Sequence, residues 1–173
     1  MLKLKKDLNI VYELNMKLTK WLFAISIAAA AKSAVADQTV ELQRLLDTRA
    51  CRNCTLSGLN IGQYDLKNVD LAGANLSKAY LVHTDFHGAN LNNANLAGAY
   101  LNGAILSKVF LVGTNFRKAE LELANFAGAT FVNVDFSEAY LLHAFITEEQ
   151  FKHSILCQTI MPDASKSNRD CQN

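Results

Sequence analysis

At 173 residues, half of them apolar and only 19% charged, the chain is long enough for one domain with a real core and too apolar for wholesale disorder. The formal net charge of +1 is unevenly spread: residues 1–36 carry six Lys and two acids (+4), whereas residues 37–173 carry eleven Lys/Arg and fourteen Asp/Glu (−3). Neither figure points to a polyanion partner, so no nucleic acid is expected, and −3 over a domain is an ordinary solvated surface.

The chain opens on a basic leader. From Met16, KLTK forms a positive stretch, WLFAISIAAAA (Trp21 to Ala31) an apolar run of eleven, and Ala34-Val35-Ala36 the small residues that precede a cleavage site. This pattern predicts a secretory signal peptide within a 1–36 leader, a mature start near Asp37 and no membrane anchor after cleavage. A run of eleven apolar residues between Lys20 and Lys32 falls short of the ~20 that span a bilayer. Met16 serves as well as Met1 as the start of such a leader. Next, VELQRLLD (Val40 to Asp47) sets Leu42, Leu45 and Leu46 on one helical face, predicting a capping helix over 37–50.

From Cys54 to His143 the chain repeats every five residues without a slip, eighteen units in 90 residues. The apolar centres run from Leu56, Ile61, Leu66 and Leu71 to Phe126, Phe131, Phe136 and Leu141. Two positions before the centre the residue is usually small, as in Ala74, Ala79, Thr84, Ala89, Ala94, Ala99, Thr114 and Ala139. A helix advances ~100° per residue, so a five-residue step turns the apolar position by about 140° and makes no stripe. A straight strand fails as well, because an odd period sends successive centres to opposite faces. What remains is a winding chain, with the small residue and the centre inward on a short extended segment and the other three residues turning a corner.

The units ANLSK (74–78), TDFHG (84–88), ANLNN (89–93), ANLAG (94–98) and TNFRK (114–118) resemble the pentapeptide-repeat family, whose pattern is A(D/N)LXX. That resemblance implies an all-β solenoid, a right-handed quadrilateral β-helix with four repeats per coil, over 51–146. TRACRNCTLSGLNI (48–61), MPDAS (161–165) and the late Cys171 resemble a subgroup common in cyanobacteria, for which the periplasm or thylakoid lumen is the implied address. Ala164 stands where that resemblance leads one to expect Gly in an MPDG turn.

Solenoid ends expose unpaired backbone and need caps. Thr147-Glu-Glu-Gln150 reads as a capping box opening a short helix with Phe151 and Ile155 toward the last coil, so 147–173 is expected to be a capping helix and a closed tail. On the implied four repeats per coil the column stands roughly 22 Å tall. Disulfide partners need Cα atoms within about 7 Å, so Cys51 and Cys54 at one end are out of reach of Cys157 and Cys171 at the other. Cys51–Cys54 and Cys157–Cys171 are the expected pairs in an exported chain. Two buried thiols are the alternative for the first pair. A redox CxxC usually opens a helix, and zinc would want a second pair, so neither is expected.

With twenty residues per coil, outward residues stack. One ladder reads Asn75, Asn95, Asn115, Asp135, short polar groups able to bond each other and the turns; another reads Tyr80, Tyr100, Glu120, Tyr140, a candidate interaction stripe. Ile105 and Phe110 are outward apolar residues on neighbouring faces, and Asp65 stacks with Asp85. His83, His87, His143 and His153 read as solvated surface. No catalytic signature, phosphate loop or metal set is present, so no enzyme, cofactor or metal is expected. The expected function is an exported structural or protein-interaction module, a monomer with an unidentified protein partner. The alternative, a DNA mimic that binds topoisomerases, requires a strongly acidic face, and residues 54–143 hold seven acids against five bases.

Overall fold

The computed structural model describes residues 37–171, so the signal-peptide leader expected over 1–36 lies outside the described residues. The chain divides into two compact units, 1–40 and 41–173. Of the first unit only 37–40 are described, and they are helical.

The second unit begins with helix α1, residues 41–48. Its apolar spacing places Leu45 wholly inside, with Leu42 and Leu46 packed half-buried against the same core. The helix ends at Arg49, whose φ of 58° is left-handed and whose N–H returns to Leu45 O at 2.9 Å.

Beyond it the backbone winds. Ala50 pairs in parallel with Asp70, Thr55 with Asn75, Asn60 with Tyr80 and Asp65 with Asp85, and the same step of twenty recurs up to Tyr140 and Ile160. One coil therefore consumes four pentapeptides. Along the column, outward residues donate their N–H to the coil below (Asn75 N to Cys54 O, 2.7 Å) and centres to the coil above (Leu56 N to Asn75 O, 2.8 Å). Within the repeat region, continuous strands appear where pairing lengthens: β1 (Phe110–Val112) on β2 (Thr130–Val132), and β3 (Val134–Asp135) on β4 (Ser154–Ile155), both parallel.

The corners are four-residue turns. Between Leu71 and Ala74 the bond is Ala74 N to Leu71 O at 3.0 Å, and the third residue, Gly73, has a φ of +70°. Asn68, Asn93, His83 and Leu123 take the same left-handed conformation at equivalent corners. Gly and Asn two places after the centre are thus a turn signal, one that the apolar pattern did not show. At Gly73 a Cβ would meet the Asn53 side chain one coil below, so a larger residue there would require that side chain to shift.

Every centre from Leu56 to Leu141 is buried, each as a full apolar side chain contributing about 1.5–3 kcal/mol. Leu dominates the lower coils and Phe the upper ones, where Phe116 stacks on Phe136 with centroids 5.3 Å apart. Where Thr replaces the inward Ala, its hydroxyl is satisfied: Thr84 donates to Ile61 O at 3.1 Å and Thr114 to Leu91 O at 2.9 Å. The inward slot fails once. Tyr64 occupies it and is 39% exposed, since a phenol ring does not fit where Ala fits.

Coiling does not stop at 146. Helix α2 (Glu148–Phe151) interrupts it, with Thr147 as N-cap and Thr147 N bonded to Gln150 Oε1 at 2.9 Å. Ser154 and Ile155 then pair with Val134 and Asp135, and Ile160 with Tyr140, laying part of a further coil. Phe151 and Leu156 stay buried and Met161 packs against the core, so the five-residue spacing outlasts the readable repeat. The expectation that Ile155 faces the core beside Phe151 is corrected. Helix α2 ends at Phe151, and Ile155 is an outward β4 residue, 43% exposed between buried Ser154 and Leu156. The tail closes with β5 (Thr159–Ile160) antiparallel to β6 (Lys166–Ser167).

Side chains satisfy the open ends of the column. Arg49 Nη1 donates to Asp65 O at 2.7 Å and the Glu41 carboxylate accepts Thr55 N–H at the bottom. At the top, Gln150 Nε2 donates to Phe126 O at 2.9 Å and Ala129 O at 3.0 Å.

Candidate functional site

Parallel pairing in register puts Tyr80 directly beneath Tyr100, one strand spacing of about 4.8 Å apart. The rings use that spacing. Their centroids are 4.7 Å apart and their planes 11° from parallel. Tyr80 is 49% exposed and Tyr100 39%, so the pair stands on the surface as one aromatic block with its edges in solvent. Glu120 and Tyr140 follow on the same ladder, both half-buried, and Ile160 extends it. Glu120 separates Tyr140 from the stacked pair, so all four residues share a ladder but only two rings meet. A groove of about 480 Å³ runs beside them, lined by Lys78, Tyr80, Gly98, Tyr100, Lys118 and Glu120.

Polar members of the other ladders are engaged within the fold. Asn75, Asn95, Asn115 and Asp135 each accept, through Oδ1, the backbone N–H two residues on, and Asn115 Nδ2 donates to Asn95 Oδ1 at 3.2 Å. Asp65 and Asp85 stack, but each meets a cation: Arg49 Nη2 at 3.6 Å and Lys67 Nζ at 3.2 Å respectively. His83, His143 and His153 are exposed. His87 differs from the expectation of plain solvated surface, being half-buried with Nδ1 2.8 Å from Ser107 Oγ of the next coil.

Ile105 and Phe110 are 39% and 52% exposed. Val112, Leu123, Val132 and Phe145, which the outward-ladder reading did not single out, are exposed as well. Their signal was present in the sequence, since each is apolar at a position other than the two inward ones.

The pentapeptide-repeat model matches residues 51–88, 79–117, 94–131 and 119–156, eight copies in all. The chain belongs to the pentapeptide-repeat family. A pentapeptide repeat protein of the cyanobacterium Cyanothece 51142 is similar at 28% identity, covering 68% of this chain and 90% of that one, with a TM-score of 0.45. A pentapeptide repeat protein from the Arabidopsis thaliana thylakoid lumen is similar at 26% identity over 54% of this chain and 72% of that one, with a TM-score of 0.31. HetL, a pentapeptide repeat protein involved in heterocyst differentiation regulation in Nostoc sp. strain PCC 7120, is 22% identical over 68% of this chain and 74% of its own, with a TM-score of 0.26. No curated protein matches the sequence.

This pentapeptide-repeat chain holds two disulfides. Cys51–Cys54 closes the first corner of the first coil with Cα atoms 5.5 Å apart, and both residues are 1% exposed. Cys157–Cys171 ties the tail to the last coil with Cα atoms 4.7 Å apart. Among the described residues no cluster of three His, Cys, Asp or Glu is placed to hold a metal, and no helix is long and apolar enough to cross a membrane. Two carboxylates sit below their ordinary range. At Asp65 the Lys67 backbone N–H is the main cause, helped by the Lys67 and Arg49 charges and opposed by desolvation. At Asp163 it is the Ser165 hydroxyl and then the Ser165 N–H, again opposed by desolvation.

Proposed function

We propose that this protein is an exported, non-enzymatic structural or protein-interaction module whose contact site is the Tyr80–Tyr100 pair. The stacked, exposed pair carries the reading. It presents rigid aromatic surface with polar hydroxyl edges beside a groove, the kind of anchor that concentrates binding energy while losing little side-chain entropy. In this reading the column is the family's right-handed quadrilateral β-helix, its readable repeats over 51–146, with 37–50 and 147–173 as its capping ends, the latter adding part of a further coil beyond helix α2. It acts as a monomer in a periplasm or thylakoid lumen. Oxidised cysteines support export, since such bonds persist in oxidising compartments. Several acids of the outward ladders are paired with cations, as in Lys67–Asp85 and Arg117–Asp135, which weighs against a DNA-mimicking surface.

The test is cross-linking and recovery of the oxidised protein from its native compartment, run in parallel with a Tyr80→Ser/Tyr100→Ser variant. Loss of the stack costs about 0.5–1.5 kcal/mol, too little to unfold the column. A partner recovered by the native protein and lost with the variant supports the reading. Equal recovery removes the tyrosine pair as the site, and no recovered partner leaves a self-sufficient structural role.

A further inference from the structure

The two disulfides sit in different electrostatic surroundings. Helix α1 lays the Arg44 guanidinium over the first pair, with Nη2 2.6 Å from Cys54 Sγ and 3.2 Å from Cys51 Sγ. Arg44 is itself exposed, whereas both cysteines are buried beneath it. Other charged groups near the pair are occupied: the Glu41 carboxylate by Thr55 N–H, and Arg52 by Asp70 at 2.5 Å. A guanidinium gains little from a neutral disulfide but a charge-assisted hydrogen bond from a thiolate. The contact thus favours the reduced state of the pair, and the nearer sulfur, Cys54, is the one whose negative charge it would hold.

We propose that Cys51–Cys54 is a reversible dithiol–disulfide site that exchanges with a protein or small-molecule dithiol, with Arg44 as the group that stabilises Cys54 as leaving thiolate. A thiolate of the reductant attacks Cys51 Sγ, and the S–S electron pair departs on Cys54 Sγ, where Arg44 N–H groups meet it. The reductant's second thiol loses its proton and attacks its own sulfur in the mixed disulfide, expelling Cys51 as a thiolate that takes up a proton. The reductant is oxidised by two electrons to its disulfide. The protein gains the same two electrons, ending as Cys51 thiol and Cys54 thiolate; of the neutral dithiol's two protons, one ends on Cys51 and the other, lost when the attacking thiolate formed, passes to solvent. Glu41, Arg44 and Leu45 all lie on α1, so the exchange takes place beneath the helix that closes the bottom of the column.

The experiment treats the full oxidised chain with dithiothreitol, quenches by alkylation and follows the peptides of both disulfides by mass spectrometry. Cys157–Cys171 is the internal reference. Replacing Arg44 by Met keeps the apolar stem and removes the cation. Reduction of Cys51–Cys54 is expected to slow by about three- to thirty-fold, the change that losing about 1–3 pKa units of leaving-group stabilisation produces. Arg44→Lys should recover part of it, and the reference bond should not respond. An unchanged rate in Arg44→Met overturns the proposal, as does reduction that follows global unfolding in added urea. A second readout needs no variant. In the reduced native protein, thiolate absorbance against pH should show one group titrating below the free-cysteine value of about 8.5. Titration of every thiol at or above that value also overturns it.

Discussion

Thr114 Oγ lies 2.9 Å from the carbonyl oxygen of Leu91, 23 residues earlier and one coil below. Thr84 with Ile61 and Thr159 with Phe136 repeat the same geometry, so a hydroxyl in the inward slot is stapled to the turn beneath it. Leu91 O also accepts Ala94 N–H at 3.0 Å, so Thr114→Val removes one of its two bonds. The expected loss is about 0.5–1.5 kcal/mol, read from the urea midpoint with the circular dichroism spectrum unchanged.

Phe136 is the hub of the upper core. It stacks on Phe116 at 5.3 Å and meets Phe126, Phe131 and Phe151 at 6.1, 5.6 and 6.0 Å. Phe136→Ala should cost about 3–5 kcal/mol, because the four surrounding rings cannot collapse into the space. Phe136→Leu should cost much less, about 1 kcal/mol, since Leu occupies the same slot in the coils below. Chemical denaturation of the two variants separates these outcomes.

Ala164 has a φ of 68°, in the left-handed region that penalises a Cβ. The turn it completes is held by Ala164 N to Met161 O at 3.0 Å. Ala164→Gly should therefore stabilise the tail by about 0.5–1 kcal/mol. Slower hydrogen exchange at 159–167 and a raised thermal midpoint are the measurements.

The Cys157–Cys171 bond spans 14 positions of chain. In the chain-entropy view its removal by Cys157→Ala/Cys171→Ala costs about 3 kcal/mol. The cost should be local. Exchange protection at Ser154, Ile155 and Ile160 should fall first, while Leu96 and Leu101, at the middle of the column, keep theirs.

The depressed carboxyl of Asp163 makes stability depend on pH. Its folded pKa lies below the ordinary value of 3.8, so its contribution is present above that value and is lost as pH falls through the folded one. Asp163→Asn should flatten the thermal midpoint against pH below about pH 4, where the native protein falls. The Ser165 hydroxyl, 2.6 Å from Asp163 Oδ1, is the main cause, so Ser165→Ala should flatten it too.

Much of this molecule was legible because its fold is a local rule repeated. Leu56 through Leu141 had only to recur at five to exclude both helix and straight strand, and all are inside. The same register put Tyr80, Tyr100, Glu120 and Tyr140 on one ladder once twenty residues made a coil. The reading faltered where the rule depends on size or context. Ile155 is outward because helix α2 ends before it, and Tyr64, at a position where the repeat favours a small residue, is 39% exposed.

The sequence by itself determined the period and the inward positions, since these follow from side-chain volume and the parity of the repeat; the ladders needed the four repeats per coil that the family resemblance implied and the pairing in steps of twenty shows. Only the tertiary structure decided which neighbours one coil away actually engage. Stacking of Tyr80 on Tyr100, His87 on Ser107 and Arg44 over Cys51–Cys54 depends on side-chain directions and on how helix α1 sits across the first coil. Periodicity carries no information about a contact between a residue inside the repeat and one outside it, because no shared register relates them. The arginine above the first disulfide is such a contact, and packing alone placed it there.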